Sequence, residues 1–239
     1  MVGMLSDKGN IRSLNEDFAK YIETSKFSIY VVADGMGGHN AGEVASKMAA
    51  EGIVEYILEN FNETNKENIL EEAINKVNLD IYNFSIKTKE LQGMGTTVTA
   101  CLSFDNKVIV ANVGDSSSFA FDGNQLVKIT KDHSLVQELV DLGSITEEQA
   151  AKHPKKNIIT RAVGIGEVVK IDIFSVLKDN YNLFLLCSDG LTNDVSINDI
   201  VCTLKGEKNL QNICERLVHL AKSNAGRDNI TVLLFGGDK

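Results

Sequence analysis

Proline is almost absent from this 239-residue chain, in which Pro154 is the single example. The sequence also has no glycine- or serine-rich linker and no internal repeat. Linkers between domains are usually rich in proline, glycine or polar residues, and a chain of this length fits one large domain or two small ones. We therefore expect a single domain over residues 1–239.

Cysteine is scarce as well, and the four cysteines form no close pair with metal-ligand spacing. They are Cys101, Cys187, Cys202 and Cys214. The start of the chain lacks a signal-peptide pattern, and no apolar run approaches the ~18 residues of a membrane span. These absences predict reduced thiols, a cytoplasmic protein and no insertion into a membrane.

Positive charge is in short supply. The formal net charge is −9, and the only arginines are Arg12, Arg161, Arg216 and Arg227. Because affinity for nucleic acid comes from lysine and arginine, we expect no nucleic-acid partner. A chain this acidic can handle phosphate only by neutralising it locally, with a metal ion or a few placed arginines. A phosphate-binding P-loop and a G-x-S-x-G nucleophile motif are both missing.

What the chain does contain is a series of hairpin-like strands and long helical patterns. Strand-like runs are FSIYVVA, TTVTACLSF, KVIVANV, SFAF, VKIDIFSV, NLFLLCS and NITVLLF. Helical periodicity covers residues 41–61, about 66–89, 134–143 and about 210–222. Residues 144–166 are polar and irregular, which predicts a flap. This arrangement favours an α+β fold with helices packed on antiparallel sheets.

Several of these strands end in an aspartate. Asp34, Asp189 and Asp115 each follow an apolar run, and Asp228 directly precedes the last one. Clustered carboxylates repel one another and need either shared protons or bound cations. Oxygen ligands favour Mg²⁺ or Mn²⁺ over zinc, so the pattern indicates metal-assisted hydrolysis.

Two features of this pattern allow a second interpretation. The dipeptide Asp34-Gly35 is a strong turn signal, and taken alone it favours a simple turn. Arg12 lies near Glu16 and Asp17, where it could hold a phosphate beside metal ions or form a local ion pair with either carboxylate. The recurrence of strand-end aspartates favours the metal interpretation for Asp34, and both interpretations of Arg12 stay open.

Eight motifs occur in an order that covers nearly the whole chain. They are SDKGNIRSLNEDF, VVADGMGGHNAGEVAS, MGTTVTA, ANVGDSS, TKDHSLVQELVDLGSIT, HPKKNIITRAVG, LCSDGLTNDV and GRDNITVLLF. With these motifs the sequence resembles the metal-dependent protein phosphatases, the PPM or type 2C serine/threonine phosphatase family, in its compact bacterial branch. The resemblance implies an αββα sandwich of two central antiparallel sheets flanked by helices.

The resemblance also implies a site for two core ions, Mn²⁺ or Mg²⁺. Carried over by position, Asp34 would bridge the two ions and Gly35 would offer its carbonyl to one of them. Asp189 and Asp228 would complete the coordination of the other ion.

Further positions carry over around this core. Asp17 and Glu16 would act through metal-bound water, and Asp132 together with Asp189 would hold a weaker third ion. Arg12 would clamp the substrate phosphate. We therefore expect Arg12, Asp34 and Asp17 to be the catalytic residues.

The implied reaction is hydrolysis of phosphoserine and phosphothreonine by in-line attack of a metal-bridging hydroxide. The implied partners are phosphorylated proteins, including a bacterial Ser/Thr kinase that the enzyme would oppose, and we expect a monomer. Two alternatives are kept: a catalytically weak module that binds phosphorylated proteins, and a phosphohydrolase for small metabolites.

Three positions depart from the family pattern. Ser117 follows the GDS motif where an arginine is usual, and this departure motivates the binding-module alternative. Met36 stands where the eukaryotic branch has a histidine proposed as general acid. Asn193 replaces a further aspartate of that branch, which removes one charge from a metal shell.

Overall fold

The computed structural model describes residues 1–37 and 41–236, and two antiparallel sheets form its centre. The first sheet has the order β1 (Val2–Asp7), β11 (Ile230–Gly236), β10 (Leu183–Cys187), β7 (Ser117–Phe121) and β8 (Leu126–Lys128). The second has the order β2 (Asp17–Glu23), β3 (Ser28–Met36), β5 (Val98–Phe104), β6 (Lys107–Val113) and β9 (Asp172–Leu177), with β4 (Gly95–Thr96) paired to β3.

Helices cover the outer face of each sheet. The long helices are α1 (Ala41–Asn60), α2 (Ile69–Lys87), α6 (Ile197–Gly206) and α7 (Leu210–Asn224), and the short ones are α3 (Leu135–Asp141), α4 (Glu147–Ala151) and α5 (Asp189–Thr192). Helices α1 and α2 share one apolar core with the second sheet, and α6 and α7 share another with the first. The αββα sandwich is thereby confirmed.

A third apolar layer lies between the two sheets. Tyr30 of β3 stacks on Phe235 of β11, with ring centroids 3.8 Å apart, and Phe184 of β10 stacks on Phe235 at 5.0 Å. Side chains of a strand point alternately to its two faces, so Val32 also faces this inner layer. Asp34 follows with the same parity, and the end of β3 therefore aims a carboxylate at the end of the inter-sheet layer.

The sequence patterns located most elements but missed several. The four helical patterns correspond to α1, α2, α3 and α7. Strands β1 and β2 and helix α6 were not predicted, although the apolar residues of α6 recur at helical spacing. Residues 144–166 were expected to be irregular, which was wrong for α4: a capping box between Thr146 and Gln149 starts a short helix there.

Candidate active site

Two of the predicted site residues lie on neighbouring strands. Asp17 of β2 and Asp34 of β3 are directly opposite each other in the antiparallel register. Asp17 is buried, and its Oδ2 atom accepts a hydrogen bond from Ser188 Oγ at 2.7 Å. Its Oδ1 atom is buried without a hydrogen-bond partner among the described residues. A buried carboxylate oxygen without a partner is costly, so this atom fits an additional cation or water ligand.

Asp189 and Asp228 enter the same region from the other sheet. Asp189 begins α5 just after β10, and Asp228 lies two residues before β11. Gly190 allows these segments to touch, because a Cβ atom on it would lie 2.0 Å from the Asn229 carbonyl oxygen. Asp189 Oδ2 accepts a hydrogen bond from Asn193 Nδ2 at 2.9 Å.

The electrostatics show that these carboxylates form one group. Burial raises the pKa of Asp34 well above its usual value, and repulsion from Asp17, Asp189, Asp115 and Asp228 raises it further. Burial likewise raises the pKa of Asp17 to about 7 and that of Asp189 to about 6. Without a cation, this group therefore resists full ionisation at neutral pH.

We expect the metal-free protein to lose stability as pH rises from about 5 to about 8. The raised folded-state pKa values of Asp17 and Asp189 exceed the ordinary aspartate value of 3.8, so the folded state binds more protons than the unfolded state in this window. Each proton of difference lowers the free energy of unfolding by about 1.4 kcal/mol per pH unit. His133, whose pKa is lowered by burial, opposes this trend with a single proton. Melting temperatures measured in chelator between pH 5.5 and 8 test the sign, and a rising Tm would contradict it.

Gly35 is required by packing on the helix side of β3. A Cβ atom on Gly35 would lie 2.1 Å from the Gly42 carbonyl oxygen and 2.6 Å from the Glu16 carbonyl oxygen. The Gly35 N–H also donates to the Glu16 carbonyl at 3.0 Å. The end of β3 therefore packs between the start of α1 and the residue that precedes β2. This packing fixes the backbone that carries Asp34. A role of the Gly35 carbonyl as a metal ligand stays a prediction.

Arg12 pairs with neither of its sequence neighbours. Its Nη2 atom lies 2.8 Å from Asp228 Oδ2, and both side chains are partly exposed. The local ion pair with Glu16 or Asp17, which was one of the two interpretations, is not formed in the part of the chain that the structure describes. Arg12 instead lies at the edge of the carboxylate group, next to a predicted metal ligand.

A cavity of about 450 Å³ adjoins the carboxylate group, and Asp115, Asp132 and Asp189 all line it. Asp132 is paired with Lys128, with 2.6 Å between Lys128 Nζ and Asp132 Oδ1. Asp115 was noticed in the sequence as a strand-end aspartate but was left out of the predicted ligands. Burial, followed by repulsion from Asp189, raises its pKa to about 7, so Asp115 belongs to the carboxylate group.

Sequence reasoning also missed the polar residues that hold the site together. Thr97 Oγ1 accepts a hydrogen bond from the Asp34 N–H at 3.0 Å, and the Thr97 N–H donates to the Asp34 carbonyl at 2.8 Å. Asn229 Oδ1 accepts from the Glu16 N–H at 2.8 Å, while Asn229 Nδ2 donates to the Leu14 carbonyl at 2.8 Å. Thr97 and Asn229 could have been found from the sequence by their positions in the motifs GTT and RDN.

The donor set fits a hard divalent cation in its chemistry. It consists of carboxylate oxygens and includes the Oδ1 atom of Asp17, which has no hydrogen-bond partner among the described residues. Across residues 1–37 and 41–236, no three histidine, cysteine or acidic side chains are arranged to hold a metal ion directly. The structure therefore brings the predicted donors together without arranging them as a closed coordination shell. Residues 38–40, which belong to the second motif, lie outside the described residues.

None of the helices within the described residues is both long enough and apolar enough to cross a membrane.

Comparison with known proteins places this site in a family. The model of the protein phosphatase 2C family matches residues 11–231. The chain is 40% identical to the serine/threonine phosphatase stp of Listeria monocytogenes, over 98% of this chain and 94% of that protein. It is 34% identical to the protein phosphatase PhpP of Streptococcus pneumoniae, over 98% of this chain and 96% of that one.

Solved structures show the same similarity in three dimensions. The serine/threonine phosphatase Stp1 from Staphylococcus aureus superposes with a TM-score of 0.93 at 36% identity, covering 100% of this chain and 95% of that one. The serine/threonine phosphatase PstP/Ppp of Mycobacterium tuberculosis gives 0.89 at 33% identity, covering 98% and 97%. Because the family match includes Arg12 and all the clustered aspartates, the chain belongs to the protein phosphatase 2C family.

Proposed function

We propose that the protein is a metal-dependent phosphatase that hydrolyses phosphoserine and phosphothreonine in proteins. The observation that supports this most is the group of partly buried, mutually repelling carboxylates around Asp34, in a chain of the protein phosphatase 2C family. When bound, Mn²⁺ or Mg²⁺ ions supply the positive charge that phosphate hydrolysis requires and that this acidic chain lacks.

The residues that would hold two core ions are Asp34, Gly35 through its carbonyl, Asp189 and Asp228. Asp17 and Glu16 would complete these shells through water. For a weaker third ion we carry over Asp132 with Asp189. Asp115 is a further candidate on charge, because Lys128 pairs directly with Asp132, whereas among the described residues Asp115 forms no ion pair and repulsion from Asp189 and Asp132 helps to raise its pKa.

Arg12 would bind the phosphate of the substrate. Its guanidinium group has five N–H donors in a fork that matches phosphate oxygens, and its side chain is 49% exposed beside Asp228. On phosphate binding, some of the guanidinium N–H groups would donate to the substrate instead of to Asp228.

We expect Arg12→Ala to lower kcat/KM for a phosphopeptide about 100-fold, because charge-assisted hydrogen bonds to the phosphate are lost. Arg12→Lys should recover only part of this loss, since lysine keeps the charge without the fork. Arg216→Ala, on the exposed face of α7, serves as the matched control and should leave kcat/KM unchanged. Equal activity of Arg12→Ala and the wild type would contradict the role of Arg12.

The function is tested by hydrolysis of phosphoserine and phosphothreonine peptides with Mn²⁺, with Mg²⁺ and with chelator. We expect turnover that depends on the added ion, and full activity in chelator would overturn the proposal. Sugar phosphates in the same assay separate a protein phosphatase from a phosphohydrolase for small metabolites. Preferred turnover of the sugar phosphates would favour the latter.

Ser117 motivates the second candidate function, a module that binds phosphorylated proteins without turnover. Ser117 is buried at the start of β7, opposite Cys187 of β10. Phosphopeptide binding with no hydrolysis at any Mn²⁺ or Mg²⁺ concentration would favour this candidate. We also propose that the substrates include a Ser/Thr kinase of the same cell, that the protein acts as a cytoplasmic monomer, and that residues 144–166 form a flap.

A further inference from the structure

A second cavity, of about 390 Å³, opens at the end of β3 and has no part in the proposed chemistry. Met36, at the end of β3, forms one side of it. The other side comes from the end of the predicted flap and the residues just after it, and its apolar residues are Ile159, Ile165, Val168 and Val169. The cavity is therefore bounded by the strand that carries Asp34 and by apolar side chains.

Strand geometry sets the distance between Asp34 and Met36, which lines the cavity. Asp34 and Met36 are two residues apart in β3, so their side chains point to the same face, and their Cα atoms are about 7 Å apart. A substrate peptide in extended conformation has the same repeat. If its phosphorylated residue lies at the carboxylate group, the side chain two positions away lies about 7 Å farther along and reaches the cavity beside Met36.

Two apolar residues that line this cavity are exposed to solvent. Val168 is 88% exposed and Ile165 is 52% exposed. Single exposed apolar residues are ordinary, but these two line one concave surface that also contains Met36, whose flexible thioether adapts to varied apolar partners.

Two charged residues lie among the apolar residues that line the cavity. Arg161 also lines it, but its Nη1 atom donates to Asp172 Oδ1 at 2.8 Å, and this pairing neutralises its charge. Lys170 is exposed at the rim, where its ammonium group stays in water.

We infer that this cavity is a specificity subsite for an apolar side chain, such as leucine or methionine, two positions from the phosphorylated residue of the substrate. Met36, Ile165 and Val168 line it. The inference rests on the proposed function, and it gives a role to Met36, which cannot act as the acid that a histidine provides at that position.

Matched phosphopeptides with leucine or serine two positions before or after the phosphorylated residue test this subsite in the presence of Mn²⁺. For the wild type we expect kcat/KM about 10-fold higher with leucine at one of the two positions, through KM, as for a methyl-rich side chain entering an apolar pocket. Val168→Asp should reduce this ratio to near one, and Val168→Leu should keep it. Leu142→Asp, at a residue that is 77% exposed and lines neither cavity, should change neither the ratio nor the rate.

The outcomes separate this inference from the function on which it rests. Hydrolysis of all the peptides at equal kcat/KM would overturn the subsite and leave the phosphatase intact, as would an unchanged leucine preference in Val168→Asp. Absence of metal-dependent hydrolysis for every peptide would overturn the proposed function, and the subsite with it.

Discussion

Asp34→Asn is expected to stabilise the metal-free protein while abolishing its metal-dependent phosphatase activity. The substitution keeps the shape of the side chain but removes the ionisable carboxyl from a group in which Asp17, Asp189, Asp115 and Asp228 all raise the pKa of Asp34. Relief of this repulsion should raise the free energy of unfolding at pH 8, and with it the Tm of the metal-free protein. For a chain of this size each kcal/mol gained corresponds to a rise in Tm of about 2–4 °C.

Activity should change in the opposite direction. We expect Asp34→Asn to lower Mn²⁺-dependent phosphopeptide turnover at least about 1000-fold, because an amide is a poor substitute for a carboxylate that binds hard cations. Added Mn²⁺ should also raise its Tm much less than that of the wild type.

The matched control for this prediction is Asp80→Asn. Asp80 lies on the exposed face of α2, where it pairs with Lys76. This variant should keep wild-type activity, and its Tm should stay within about 2 °C of the wild type, since a surface ion pair contributes little. A lower Tm for metal-free Asp34→Asn than for metal-free wild type would contradict the repulsion on which the prediction rests.

Gly35→Ala is expected to damage both the fold and the site. The new methyl group would lie 2.1 Å from a backbone carbonyl oxygen of α1, and backbone cannot move aside as a side chain can. Forcing an extra methyl group into such a position costs about 3 kcal/mol, which should lower Tm by roughly 10 °C. Because the adjacent Asp34 would be displaced, the variant molecules that still fold should have no phosphatase activity.

Two other glycines provide a graded comparison. A Cβ atom on Gly42 would mainly meet the flexible Glu16 carboxylate, at 2.5 Å from Oε1, so Gly42→Ala should cause a smaller loss of Tm. Gly206, at the end of α6, has open space around its Cβ position, and Gly206→Ala should stabilise the fold by about 0.4–1 kcal/mol. Equal Tm values for the Gly35 and Gly206 variants would show that the end of β3 tolerates a side chain.

The predictions from sequence were correct where a local pattern carries the information. Apolar runs that end in Asp34 and Asp189 identified two strands and the common edge that they approach, because alternation and turn residues are local signals. The pairing of Arg12 with Asp228 was not predictable in this way, since 216 residues separate them.

The same limit applies to the supports of the site and to Gly35. A strand pattern indicates which residues face inward but does not identify their partners across the sheet. The pairing of Asp17 opposite Asp34 and the hydrogen bonds of Asn229 could therefore be seen only in the structure. Gly35 was expected to serve a ligand by its bare carbonyl, whereas the structure shows a second physical reason in the contact with α1.

The contacts of Asn229 have a consequence for synthesis of the protein. Its side chain binds the backbone at Lys8, Leu14 and Glu16, and β11 pairs with β1 over six residues. The segment that holds the first motif in place is therefore translated more than two hundred residues after that motif. A nascent chain acquires the complete carboxylate group only after β11 has left the ribosome, so ribosome-bound chains without β11 cannot assemble the site.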